Sequence, residues 1–219
     1  MYLSRIALDE EMRETTQLLS SPHFIHGAVE RSFDGMKERN LWRIDRLKGM
    51  LYLLVLSKKE PNFEHIFKKH GIKNSDPKWE TVDYSLLLNR IEVGQEWSFR
   101  LCANPVVGSM AEKNNVLRRG KIYAHVTHEQ QKKWLIERAK KNGFLLQNEK
   151  FDVVETNWRI FKKDHHIKNM VKIKTVTFEG ELIIEDIGLF INALRNGIGK
   201  AKAYGCGLIT IAKPKKHEQ

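Results

Sequence analysis

Leu41-Trp-Arg-Ile-Asp-Arg-Leu-Lys-Gly-Met-Leu-Tyr-Leu-Leu-Val-Leu56 decides how the first half of this 219-residue chain folds. Leu41–Asp45 and Met50–Leu56 read as two adjacent strands meeting around Lys48-Gly49. The run from Met50 to Leu56 is the longest apolar stretch in the chain. It is far short of the roughly 18–20 residues of a membrane span and fits a buried strand. Upstream, Tyr2–Leu8 signals a first strand, and Asp9 followed by Glu10 and Glu11 reads as a helix cap with an acidic first turn. Ser21-Pro22 then restarts the helix. Serine at the cap and proline at the first helical position lead into Ile25, Ala28, Val29, Ser32 and Phe33 at helical spacing, as far as Asp34-Gly35. Downstream, a helix over Asn62–His70 stops at Gly71, and Asp83–Ile91 is expected as a closing strand. The order is βαββαβ.

After Val93-Gly94 the order returns. A strand at Trp97–Ala103 stops at Asn104-Pro105, a helix runs from about His128 to Asn142 and closes on Gly143, and strands follow at Phe144–Val154 and Val171–Ile184. Asp186 caps a last helix with Ile187, Phe190, Ile191 and Leu194 on one face, and Leu208–Ile211 closes the sheet. The expected fold class is α+β, two tandem ferredoxin-like units over residues 1–93 and 94–219, with no sequence repeat between them.

The charge surplus is +11, from 38 Lys and Arg against 27 Asp and Glu, with a pI near 9.6. A basic excess of this size points to a polyanionic partner. The first nine residues have no secretory signal pattern, so the protein is expected to be cytoplasmic and to have no membrane partner. Cys102 and Cys206 lie 104 positions apart and form no C-x-x-C motif; both are expected as small core residues.

Three segments carry candidate chemistry. In His23-Phe-Ile-His26-Gly-Ala-Val-Glu30-Arg31, offsets of three and four put His23, His26 and Glu30 on one helix face, away from Ile25 and Val29. The residues alone leave two readings open, an ordinary polar face or a pair of imidazoles sharing general-acid and general-base work near neutral pH. A zinc site is the weaker competitor, because H-x-x-H lacks the H-E-x-x-H arrangement and a third ligand. Gly197-Ile-Gly199-Lys-Ala-Lys-Ala-Tyr-Gly205-Cys-Gly207 fails the dinucleotide and P-loop patterns, so no nucleotide cofactor is expected. It is either a phosphate-approaching loop or a glycine-rich entry to the last strand. Residues 158–174 hold five Lys, one Arg and two His, and read as a projecting basic hairpin. The helix over His128–Lys141 reads as a packed helix with a cationic outer face, and the aromatic signature of an RNA-recognition motif is absent.

Taken together, Met1-Tyr-Leu-Ser, Ser21-Pro-x-x-x-His26, Leu41-Trp-Arg-Ile, Phe99-Arg-Leu-Cys-Ala-Asn-Pro105, Thr177-Phe-Glu-Gly-Glu-Leu182 and Gly197-Ile-Gly-x-x-Lys-x-x-Gly-Cys-Gly-Leu208 resemble the CasE family. These are the CRISPR repeat-processing endoribonucleases of type I-E systems, and the matches run in order from residue 1 to about 212. The resemblance implies two ferredoxin-like domains and a cut at the base of a repeat RNA hairpin with no metal and no cofactor. Attack by a 2′-hydroxyl would leave a 2′,3′-cyclic phosphate and a 5′-hydroxyl. It further implies that the product stays bound and the protein joins the other subunits of a surveillance complex. His26 falls on the family's catalytic histidine. The family usually has tyrosine where His23 stands, which leaves the chemistry to a histidine pair or to His26 alone. Arg31 falls on a position that is basic in some members. The family's RNA-binding hairpin and glycine-rich loop fall on Arg159, Lys162, Lys163 and Lys168, and on Gly199, Lys200 and Lys202. The alternative is a subunit that binds repeat RNA without cutting it.

Overall fold

A computed structural model describes residues 1–35, 38–113, 116–162 and 170–214, without the side chains of 109–113, 116–120 and 148. In the first unit, β1 (Tyr2–Leu8), α1 (Arg13–Leu19), α2 (Pro22–Glu30), β2 (Leu41–Leu47), β3 (Met50–Ser57), α3 (Glu64–His70), β4 (Glu80–Asp83) and α4 (Ser85–Leu88) follow in order. The antiparallel sheet runs β2-β3-β1-β4, the strand order of a ferredoxin-like unit. Lys48 and Gly49 both have positive φ (49° and 85°), the requirement of the two-residue turn that joins β2 to β3.

The second unit contains β5 (Glu96–Ala103), β6 (Val106–Lys113), β7 (Val116–Ala124), α5 (His128–Lys141), β8 (Phe144–Leu145), β9 (Phe151–Lys162), β10 (Met170–Ile184), α6 (Ile187–Asn196) and β11 (Ile209–Ala212). Its main sheet runs β11-β5-β10-β8, with β9 also paired to β10, which repeats the first unit's strand order. β6 and β7 form a separate two-stranded hairpin. Thr127 and Gln130 cap α5 reciprocally, and the Asp186 carboxylate accepts from Leu189 N–H at 2.8 Å to start α6, as the sequence indicates.

Several expectations need correcting. Asp9 does not cap a helix; its carboxylate accepts from Glu11 N–H at 3.0 Å in a tight turn, and α1 starts later, at Arg13. The closing strand expected at Asp83–Ile91 is the four-residue β4, ending where the Asp83 carboxylate accepts from Ser85 N–H and starts α4. The α2 helix stops at Glu30, short of Asp34-Gly35. The single strand expected over Phe144–Val154 is split by a 3₁₀ turn at Asn148–Lys150. Cys102 and Cys206, remote in sequence, are neighbours with thiols in hydrogen-bonding reach, because β5 and β11 pair and Gly207 N–H donates to the Cys102 carbonyl at 2.7 Å.

One core lies between the two sheets, with Leu41, Leu54 and Leu56 meeting Phe99, Leu101 and Leu208. A second lies between the first sheet and its helices, where Leu53 and Val55 meet Ile25, Val29, Phe63 and Ile66. Strand β3 is thus covered on both faces, the physical reason its sequence is apolar without alternation. Charge also crosses between the units. Arg43 and Asp45 are each 3% exposed. The Arg43 guanidinium donates to both Asp45 oxygens (2.7 and 2.6 Å), to the carbonyls of Arg100 (2.9 Å) and Leu208 (2.8 Å), and to Thr210 Oγ1 (2.8 Å). Among the described residues no helix is long and apolar enough to cross a membrane.

Candidate active site

The site is built on α2. Ser21 Oγ accepts from His23 N–H at 3.3 Å and Pro22 opens the first turn, so the helix starts where the sequence directs. Burial of Pro22, Ile25, Ala28 and Val29 fixes its rotation and turns His23, His26, Gly27 and Glu30 toward solvent. The shared face holds, but it divides. His23 lines a cavity of about 360 Å³ between α1, α2 and α3, with Glu14, Lys69 and His70 on its other walls. His26 lines a neighbouring cavity of about 780 Å³, with Glu30, Arg39, Asn40 and Ala203. Arg31, the capping residue at the end of α2, lines both. Gly27 makes that position reachable: Arg31 Nη1 lies 3.6 Å from where a Cβ at residue 27 would sit, so the guanidinium lies back along the helix.

His26 Nδ1 is shielded from solvent without a hydrogen-bond partner among the described residues, and Glu30 Oε1 stands 3.9 Å away. Both side chains are about one-third exposed, at 32%, so the pair is accessible from the cavity. Two histidines of α3 stand against the helix, His70 in the wall of the His23 cavity. His65 Nε2 lies 3.0 Å from the Ala28 carbonyl, and burial pulls its pKa below the ordinary value. His70 is lowered as well, by burial first and then by Lys69, with Glu14 acting in the opposite direction.

The glycine-rich loop abuts α2. Its 3₁₀ turn, Lys202–Tyr204, packs on the helix and places Ala203 in the wall of the His26 cavity. Gly205 has φ 79°, and a Cβ there would stand 2.7 Å from the Trp42 ring, so packing against β2 already requires glycine at that position. Gly199 sits likewise against Trp134. Lys200 is exposed, whereas Lys202 is half-buried and its ammonium donates to the Asn196 carbonyl at the end of α6 (2.6 Å), with its pKa lowered by burial. The loop is therefore a packed, glycine-dependent strand entry that also leaves Lys200 exposed.

Strands β9 and β10 form the expected basic hairpin. Its inner face packs on the loop through Phe161, whose ring meets Tyr204 edge-on at 4.9 Å. Arg159 lines a narrow cleft beside Tyr204, and Lys162, the last residue of β9, is exposed. Lys163 and Lys168 lie outside the described residues. On the outer face Trp158 is 49% exposed, with Lys172 Nζ 4.6 Å and Lys174 Nζ 5.3 Å from its ring centre.

Comparison with known proteins places this arrangement. The profile of a family described as CRISPR associated protein matches residues 1–213. The chain belongs to that family. The CRISPR-associated endoribonuclease Cse3 of Thermus thermophilus is 27% identical over 97% of this chain and all of its own length. The CRISPR system Cascade subunit CasE of Escherichia coli is 31% identical over 56% of this chain and 61% of its own. A solved structure of endoribonuclease Cse3 bound to a 19-nucleotide RNA shares the fold, with a TM-score of 0.72 at 22% identity, covering 96% of this chain and 98% of that one. The resemblance to the CasE family read from the motifs is borne out, as is the fold of two ferredoxin-like units.

In this CRISPR associated protein the family-like segments fall at structural joints. Phe99–Ala103 lies in β5, inside the second sheet, where Arg100 reaches both Asp45 and Glu179; Thr177–Leu182 is the part of β10 paired to Trp97–Cys102 of that strand. The sequence reading missed Phe24, Arg39, Lys69 and His70 as cavity-lining residues. Lys69 and His70 end α3, where cations are already accounted for by the helix dipole, and Phe24 looks like one more apolar position of a helix. Among the described residues no group of three or more His, Cys, Asp and Glu is arranged to hold a metal ion.

Proposed function

We propose that this chain is an endoribonuclease that cuts CRISPR precursor RNA at the base of the repeat hairpin and keeps the mature guide RNA bound as a subunit of the surveillance complex. The observation that carries the reading is the position of Arg31, which lines both the His26 cavity and the His23 cavity. In-line displacement at phosphorus needs the attacking and leaving oxygens on opposite sides. A phosphate held at Arg31 would have one imidazole on each flank. One takes the proton of the 2′-hydroxyl as its oxygen bonds to phosphorus; the other gives a proton to the 5′-oxygen as that P–O bond breaks. The products are a 2′,3′-cyclic phosphate and a 5′-hydroxyl, with no water, metal or cofactor consumed. Arg31 offsets the charge on the phosphate oxygens in the transition state. Family membership and the endoribonuclease Cse3, alike over nearly its whole length, support the substrate class. Lys162, Lys200 and Arg159 supply cations along the hairpin and loop, with Lys163, Lys168, Gly199 and Lys202 as further expected contacts.

Cleavage of a cognate repeat hairpin in excess chelator tests the mechanism, together with a single 2′-deoxy substitution upstream of the scissile phosphate. Cleavage should persist in chelator and vanish on the deoxy substrate; a requirement for divalent metal would overturn it. His26→Ala should slow cleavage by about 10²–10⁴ while binding is retained. Tight binding with no cleavage by the wild type would instead mark a non-catalytic repeat-RNA-binding subunit.

A further inference from the structure

Phe24 is 48% exposed on a helix whose other large apolar residue, Ile25, is buried. It forms part of the wall of the 360 Å³ cavity, beside His23, with ring centroids 6.4 Å apart and tilted by 46°. The facing walls carry the cations Arg31 and Lys69 and the His70 imidazole, with Glu14 the one carboxylate among the described lining residues. His70 Nδ1 is buried with no hydrogen-bond partner among the described residues, a polar atom that a ligand oxygen would satisfy. These walls are held firmly. The His70 carbonyl accepts from Asp9 N–H at 2.8 Å, and Gly71 bridges to Leu8, so the end of α3 is fixed to β1. An exposed aromatic ring next to clustered cations is the combination that holds single-stranded nucleic acid, the ring taking a base and the cations its phosphate. The volume is within the roughly 300–1,000 Å³ of small-ligand sites.

We infer that this cavity seats one unpaired nucleotide of the RNA adjoining the cut, its base on Phe24 and its phosphate against Arg31, Lys69 and His70. The inference rests on the reading of α2 as the RNA-cleaving helix and adds a specificity element to it. A base inside an A-form stem has both faces stacked, so the site selects single-stranded flank over stem. Stacking there anchors the strand on one side of the scissile phosphate, which defines how far from the stem the cut falls.

Binding of an uncleavable repeat hairpin, 2′-deoxy at the cut, tests the site independently of turnover. Phe24→Ala should weaken binding of the RNA with intact flanks about 5- to 150-fold, the worth of one base stack, and leave a flank-trimmed stem unaffected. Phe24→Tyr should restore it and Phe24→Leu should not. Abasic substitutions walked along the flank should locate one position where the wild type loses the same factor and Phe24→Ala loses nothing more. Lys69→Ala should lower the salt slope of binding by about 0.7. Each variant is checked by its melting temperature. Equal loss on trimmed and intact RNA, or no loss on either, overturns the nucleotide site. Failure of the wild type to bind the hairpin at all would overturn the RNA reading with it.

Discussion

Arg43 and Arg31 are the same residue type at two ends of one problem. Arg43 is buried between the sheets, and its guanidinium is saturated by a carboxylate, two carbonyls and a hydroxyl. Arg31 is exposed at the end of α2, on the border of two cavities. A guanidinium whose donors are all engaged inside the protein fixes geometry, and one that faces open space has charge to spend on a ligand. The +11 surplus of this chain therefore cannot be read as a single property. Its structural share ties the two units together, and its exposed share is free to meet a polyanion such as the proposed RNA.

The largest expected effect breaks the structural side. Asp45→Ala leaves the Arg43 guanidinium buried between the sheets without its carboxylate and should cost about 3–5 kcal/mol in a denaturant melt; Arg43→Ala should lose less of this stability, because Arg100 Nε still pairs with Asp45 at 3.1 Å. Arg43→Lys should not restore it, because an ammonium cannot reproduce the fork that meets both Asp45 oxygens. A loss below 1 kcal/mol would mean the clamp is dispensable. The exposed side should respond the other way round. Arg31→Ala should leave the melt within about 0.5 kcal/mol, as for surface substitutions, and slow cleavage by about 10²–10³. Arg31→Lys should keep part of the rate, since a phosphate accepts a point charge. If Arg31→Ala melts early and cuts normally, the contrast between the two arginines fails.

That contrast was only half legible in the sequence. The β2–β3 hairpin, the Ser21-Pro22 start of α2 and the basic hairpin all follow from local rules, and each stands where those rules put it. Arg43 and Asp45 gave no such signal, because their burial comes from packing β2 against β5 and β11, which is set by strand order and not by spacing. Cys102 and Cys206 meet for the same reason. The β6–β7 hairpin was missed because, among the described residues, its strands pair with each other and with neither main sheet, so the strand order of the two units does not call for it. At the site, the helix face grouping His23, His26 and Glu30 was readable from spacing. Its division into two cavities was not, since α3 and the glycine-rich loop supply the opposite walls.

The smallest expected effect concerns the two histidines of α3, His65 and His70. His65 and His70 have pKa values held below the ordinary histidine value, by burial first in each case. Lys69 and Arg31 lower both further, His65 also lowers His70, and Glu14 partly opposes this at His70. On acidification the unfolded chain therefore takes up protons before the folded one does. The stability linked to these groups is complete above about pH 6.5, is lost as the pH falls from there through the folded values, and then levels off. The carboxylates with lowered values, Glu10, Glu64 and Asp83, lose their share only below about pH 4.5, so the interval between about pH 6.5 and 5 isolates the histidines. Melting temperature should fall across that interval and flatten in a His65→Gln, His70→Gln variant. An unchanged slope in the double variant would place the acid sensitivity elsewhere. A flattened slope would show that the α3 wall packed against the candidate active helix responds to protons in the range where imidazoles titrate.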